Sequence, residues 1–189
     1  MFNVSIMGKP SKEQKIIELF FNEPSKHWHF KDIVQTAKIS ENRANYWLKQ
    51  LLKEKIIVYN KKTGKMPYYT ANFEDANYKN KKKLYALENF YETGFLKHLE
   101  SLDANTIIIF GSFSRADWHK NSDIDLCIIG NDSELEQGKY EKKLKRELQI
   151  FTFKNQQEAK NINPRLISNI INGYFVKGRV QNIIGEQNA

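Results

Sequence analysis

The run Ile107-Ile108-Ile109-Phe110-Gly111-Ser112, followed ten residues later by Asp123-Ile124-Asp125-Leu126, constrains this chain more than any other feature. It reads as a buried strand, a Gly-Ser turn, a short excursion and a second strand carrying two acids. Side chains alternate along a strand, so Asp123 and Asp125 share one face while Ile124 and Leu126 turn into the core. Two neighbouring carboxylates repel each other unless a cation sits between them. Mg²⁺ suits such a pair, because it takes one or two carboxylates and fills its octahedron with water and substrate phosphates. Gly111 leaves room for a phosphate to approach main-chain N–H groups, Ser112 adds a hydroxyl, and a helix predicted from about Ser114 would point its positive end there. A phosphate cradle beside paired acids is the apparatus of metal-assisted nucleotidyl or phosphoryl transfer. The structural alternative is a solvated edge strand after an ordinary strand-ending turn.

Gly111-Ser112, the ten-residue spacer and Asp123-Ile124-Asp125 resemble the signature of the DNA polymerase β-like nucleotidyltransferases. The likeness is to their minimal, mostly prokaryotic branch, which includes the antitoxin members of toxin–antitoxin pairs. It covers roughly residues 85 to 180, and Arg115 and Ser122 agree with it. The resemblance implies metal and catalytic roles for Asp123 and Asp125, and nucleotide contacts for Gly111, Ser112 and Arg115. Two Mg²⁺ ions and an NTP substrate are implied with them. The family's third carboxylate falls on a later strand, here Arg146-Glu147-Leu148-Gln149-Ile150-Phe151-Thr152-Phe153, where alignment places Gln149. Glu147, two residues earlier on the same face, is the substitute candidate for the base, or a solvated residue at the start of the strand. Asp117 is a second departure, adding negative charge near the triphosphate path.

Charge separates the two ends of the chain. Residues 1–80 hold 14 Lys/Arg against 8 Asp/Glu, and residues 81–189 hold 16 against 14, so +6 of the net +8 lies in the first part. A basic excess on one lobe suits a phosphate-backbone binder. That lobe reads as a capped helix from Ser11, with Ile16, Ile17, Leu19 and Phe20 inward and a break at Pro24. A short helix over Lys31–Thr36 follows, with Ile33 and Val34 inward. Ser40 then opens a longer helix to about Lys55. Two strands, Ile56–Tyr59 and Tyr68–Thr70, flank a lysine-rich turn. Over residues 11 to 71 this order resembles the winged helix-turn-helix domains of prokaryotic regulators. The resemblance implies DNA contacts from Asn42, Arg43, Asn45, Tyr46 and Lys49, with Lys61 and Lys62 on the wing. A protein-docking winged helix with a merely solvated helix face is the other reading.

The join, from Glu74 to about Leu99, is predicted as one connecting helix bent near Gly94, with Leu84, Leu87, Phe90, Tyr91, Phe95 and Leu99 as its stripe. Further helices are predicted over Asn155–Lys160 and Pro164–Ile171, then a short strand Tyr174-Phe175-Val176, with Gly185–Ala189 fraying. No apolar run is long enough to span a membrane, and Met1–Gly8 lacks the pattern of a signal peptide. Cys127, the one cysteine, is predicted as a buried small apolar residue, and the four histidines show no zinc spacing. A reducing cytoplasm fits this composition.

The expected fold class is α+β. A winged helix-turn-helix (11–73), a connecting helix (74–100) and a nucleotidyltransferase-like α/β domain with a small mixed sheet (101–185) follow one another. The expected partners are a nucleoside triphosphate, double-stranded DNA and a toxin-like acceptor protein, with a homodimer as a further candidate. The expected function is NMP transfer from NTP to an acceptor hydroxyl. A non-catalytic DNA-binding regulator, whose nucleotidyltransferase fold senses nucleotide or docks a partner, is the alternative.

Overall fold

A computed structural model describes residues 11–159 and 162–184. The expectations for Met1–Gly8, Lys160 and Gly185–Ala189 lie outside the described residues. The chain divides into two compact units, Met1–Lys82 with Trp118–Lys120, and Lys83–Asp117 with Asn121–Ala189.

The first unit begins with α1 (Lys12–Asn22), α2 (Phe30–Ala37) and α3 (Glu41–Lys53), followed by an antiparallel pair, β1 (Ile57–Asn60) and β2 (Tyr68–Ala71). Ser11 starts α1 by a reciprocal cap: the Gln14 N–H donates to its hydroxyl (3.1 Å) and its own N–H donates to Gln14 Oε1 (2.6 Å). Lys38, in the left-handed region at φ 52°, ends α2. Ser40 stands at the start of α3, but its carbonyl rather than its hydroxyl receives the first turn's N–H groups. Trp28 pairs with Tyr69 through two backbone hydrogen bonds, so the segment before α2 adds a bridge to the hairpin.

The core of this unit is Ile16, Ile17, Phe20, Phe21, Trp28, Ile33, Ala44, Leu48, Leu51, Ile56 and Ile57. Leu19 and Val34, predicted inward, are only partly buried, because Phe21 and Ala37 complete the inner faces of their helices instead. Lys82 is the unusual member of this unit, 1% exposed. Its ammonium donates to the Trp118 carbonyl (2.5 Å) and the Tyr78 hydroxyl (3.4 Å) and lies 4.5 Å from the Trp118 ring centroid. Hydrogen bonds and aromatic faces replace part of the water that this cation loses.

The predicted connecting helix is two helices, α4 (Ala76–Glu92) and α5 (Phe95–Ser101). Gly94 separates them at φ 77°, a conformation that ends a helix rather than bending it. Phe90, Phe95 and Leu99 are buried, but Leu84 and Tyr91 are 58% and 76% exposed, so the predicted stripe is narrower than its spacing suggested.

The second unit is built on a four-stranded sheet. Its strands are β3 (Ala104–Phe110), β4 (Ile124–Gly130), β5 (Leu148–Phe153) and β6 (Tyr174–Lys177), in the order β5-β4-β3-β6. β3 runs antiparallel to β4 and β6, and β4 parallel to β5, so the sheet is mixed. The one-turn α6 (Ser112–Arg115) joins β3 to β4, and α7 (Gln137–Leu144) makes the crossover to β5. Helices α8 (Gln156–Ala159), α9 (Pro164–Ile171) and α10 (Gln181–Ile184) complete the unit. Ile108, Phe110, Cys127 and Ile129 pack with Ala159, Ile162, Ile170 and Ile183 on one face. The opposite side chains, Ile107, Ile109, Leu126 and Ile128, are buried as well. β4 is buried without a break from Leu126 to Ile129, as expected for Leu126 and Cys127, because both faces of the sheet are covered. No helix among the described residues is long and apolar enough to cross a membrane.

Lys82→Ala is expected to destabilise the protein by about 2–4 kcal/mol in urea unfolding, since it removes a buried stem and leaves the Trp118 carbonyl without this donor.

Candidate active site

β3 and β4 are registered so that Phe110 lies opposite Asp125. Gly111 follows at φ 69°, ψ −139°, a backbone that essentially only glycine adopts, and it turns the chain over the Asp125 carboxylate. A Cβ built on Gly111 would come within 1.9 Å of Asp125 Oδ2. Glycine is therefore required here both for its φ and for the space that the acid occupies. The Ser112 backbone N–H donates to Asp125. Ser114 Oγ donates back to the Gly111 carbonyl (2.9 Å) and closes the turn.

The helix after the turn starts at Ser112, not Ser114, and ends within one turn as Ala116 enters the left-handed region at φ 62°. A single turn aligns too few peptides for a useful dipole. The local donors are therefore individual groups, the Ser112 amide and hydroxyl. Arg115 lies on the same turn, exposed, with its Nε 2.9 Å and Nη2 3.4 Å from the Asp117 carboxylate oxygens. The Asp117 departure thus acts directly on the expected cationic clamp, since the guanidinium is already shared.

Asp125 is half-buried. Burial pushes its carboxyl above the usual range and the charge of Asp123 adds to this, while Arg115 and the Ser112 N–H pull it back. Asp123 is exposed and lies one residue before β4, outside the ladder. In the parallel pairing of β4 with β5, Asp125 is matched with Gln149. Neighbouring strands are about 4.8 Å apart and matched residues share a face, so Gln149 stands beside Asp125. Glu147 is exposed just before β5, and its carbonyl accepts the Ile124 N–H (2.9 Å). Extending the ladder back by one step sets Glu147 level with Asp123.

Among the described residues, no group of three or more His, Cys, Asp or Glu is placed to hold a metal ion. Two carboxylates, one of them desolvated and raised by the other, fit a hard cation that completes its shell with water and phosphate oxygens rather than an all-protein cage. Cys127 is fully buried, and burial pushes its thiol up to about 12, consistent with an inert core position. A cleft of about 210 Å³ opens between Phe90, Ile109, Phe113 and Tyr174, and neither Asp123 nor Asp125 lines it.

Arg146, which nothing in the periodicity or the motif singled out, meets both halves of this site. Its Nη1 donates to the carbonyl of Ser122 (2.9 Å), and its guanidinium carbon lies 5.2 Å from the centroid of the Phe113 ring. In the first unit, Asn42, Arg43, Asn45, Tyr46 and Lys49 are all exposed on α3, and Lys61 and Lys62 are exposed in the hairpin turn.

Ionising Asp125 opposes folding, because its folded value is raised. Its contribution to stability is full below the ordinary carboxylate range and is lost as pH rises through that raised value. Asp125→Asn is therefore expected to melt higher than the wild type at pH 7 without divalent metal. Gly111→Ala is expected to cost about 1–3 kcal/mol, measured by thermal or urea unfolding.

No curated protein and no solved structure matches the chain. Residues 93–183, which carry the Gly-Ser turn, both aspartates and the whole four-stranded sheet, match the family model described as nucleotidyltransferase domain, and the match supports a polymerase β-like nucleotidyltransferase domain over that part of the chain.

Proposed function

We propose that the protein is a metal-dependent nucleotidyltransferase that moves an NMP from an NTP to an acceptor hydroxyl, on a protein or a nucleic acid. The observation that carries this reading is the Asp125 carboxylate lodged against Gly111 and held by the Ser112 N–H, with Asp123 two residues away, inside the matched domain. Asp123 and Asp125 would hold Mg²⁺, two ions in the full site, which supplies charge neutralisation at the phosphates when bound. Gly111 and Ser112 bind the distal phosphates through main-chain and hydroxyl donors. Arg115 reaches the same phosphates by exchanging its Asp117 partner for phosphate oxygens. The acceptor oxygen attacks the α-phosphorus, the bond to the β-bridging oxygen breaks, and pyrophosphate leaves. The acceptor's proton passes to Glu147 or to water.

The N-terminal unit is proposed as a winged helix that binds double-stranded DNA. Three helices followed by a hairpin, and the exposed Asn42, Arg43, Asn45, Tyr46 and Lys49 on α3, support it. Asn and Arg suit base edges, whereas Lys49, Lys61 and Lys62 suit phosphates. The Gln149 amide beside Asp125 favours a second reading. An amide cannot take up the acceptor's proton, and the fold would then sense nucleotide or dock a toxin-like partner in a cytoplasmic, antitoxin-like DNA-binding regulator, with a homodimer as a further candidate.

Pyrophosphate release and label transfer from each NTP with Mg²⁺, using host lysate as acceptor, separate the two readings. Transfer to a discrete product that is lost in Asp123→Ala/Asp125→Ala is expected. Nucleotide binding without transfer would assign the regulator. Gln149→Glu is expected to raise turnover at least severalfold, since it restores a carboxylate able to act as general base. Lys61→Ala/Lys62→Ala is expected to weaken binding to all DNA sequences alike and to lower the salt slope by about two.

A further inference from the structure

The two aspartates are held in different ways. Asp125 has a ladder partner on each side, Phe110 and Gln149, and a Ser112 hydrogen bond, so the sheet itself fixes it. Asp123 lies before the strand begins, on an exposed stretch, and no ladder pair reaches it. A two-carboxylate site works only if the spacing of its acids is set to within a fraction of an ångström. The sheet reaches Asp123 only through its neighbour Ile124, whose N–H the Glu147 carbonyl accepts (2.9 Å), so a further contact on its other side would complete its placement.

We infer that Arg146 is the positioning residue that holds Asp123 in place beside Asp125 and the Gly111–Ser112 turn. Its guanidinium joins the residue before Asp123 to the residue after Ser112, through the Ser122 carbonyl and the face of the Phe113 ring. Its backbone is anchored from both directions. The Arg146 N–H donates to the Glu141 carbonyl at the end of α7 (3.2 Å), and the next residue's carbonyl accepts the Ile124 N–H (2.9 Å). The Leu148 N–H donates to the Glu141 carboxylate (3.0 Å), which fixes the same corner once more. A planar fork can donate to a carbonyl and lie over a ring at once, which an ammonium does less well. Arg115 is the cation that pulls the Asp125 carboxyl down, whereas the contacts of Arg146 with Ser122 and Phe113 join the two segments that carry the site.

The inference rests on Asp123 and Asp125 binding a divalent cation, and the sign of one measurement separates geometry from charge. If Arg146 acted through its charge, removing a cation beside a cation site would tighten metal binding. If it positions Asp123, removal weakens it. Mn²⁺ binding to the full-length protein, without nucleotide, is followed by electron paramagnetic resonance for wild type, Arg146→Ala, Arg146→Lys and Asp123→Asn. The melting temperature and the amide exchange of Asp123 and Ile124 are measured on the same samples.

Arg146→Ala is expected to weaken Mn²⁺ about tenfold or more, with faster exchange at Asp123 and Ile124. Arg146→Lys is expected to recover only part of this, and it stands in should the alanine variant fail to fold. Mn²⁺ bound as tightly or more tightly by Arg146→Ala, or full recovery by Arg146→Lys, would overturn the inference. A fall in melting temperature with unchanged Mn²⁺ affinity would overturn it too, leaving Arg146 a structural residue. Unchanged Mn²⁺ binding in Asp123→Asn would instead remove the metal reading itself. Exchange at Asp123 and Ile124 then judges Arg146 alone, and no acceleration in Arg146→Ala overturns its role.

Discussion

The Asp125 carboxylate lies where the side chain of residue 111 would otherwise be, and the candidate site is built out from that contact. An acid can approach the main chain this closely only at a glycine, and only with the backbone turned to positive φ. The turn then brings the Ser112 N–H onto the acid, and the hydrogen bond partly offsets the cost of burying it. What remains is a carboxyl that is desolvated and repelled by Asp123. Under the proposed function, a bound cation would relieve both effects.

Around this contact the sheet is rigid for an ordinary reason. Both faces are covered, so β3 and β4 are runs of Ile, Leu and Cys that leave no room for slippage. One step of register shift would move Phe110 away from Asp125 and bring the acid into the core. The parallel neighbour β5 extends the same registration to Gln149 and Glu147. Under the proposed function, the two side chains that decide between catalysis and sensing, Gln149 and Glu147, thus stand at the open end of a well-packed sheet.

Much of this was legible in the chain. The apolar run into Gly111, the Asp-x-Asp alternation and the turn residues are local signals, and local signals decide the elements and the face on which the two acids lie. The Ser11–Gln14 cap and Pro164 at the start of α9 were legible for the same reason. Gly94 ends α4 rather than bending one long helix. Spacing shows that an apolar pattern continues, not that the backbone between its members turns left-handed. The burial of Leu126 and Cys127 was legible, but which helices cover the Cys127 face was not, because α8, α9 and α10 follow β4 only after the whole of β5.

The sequence by itself determined which residue types stand at the candidate site: a Gly-Ser turn read as room for a phosphate, two carboxylates two residues apart, and a glutamine where the resemblance places a third acid. Only the tertiary structure decided that Gln149 is the residue matched with Asp125 and that Arg146 reaches across to Ser122 and Phe113. The physical reason is the parallel β4–β5 pair. Its register is set by how a crossover helix packs, and contacts between residues twenty or more positions apart leave no periodicity in the chain to be read.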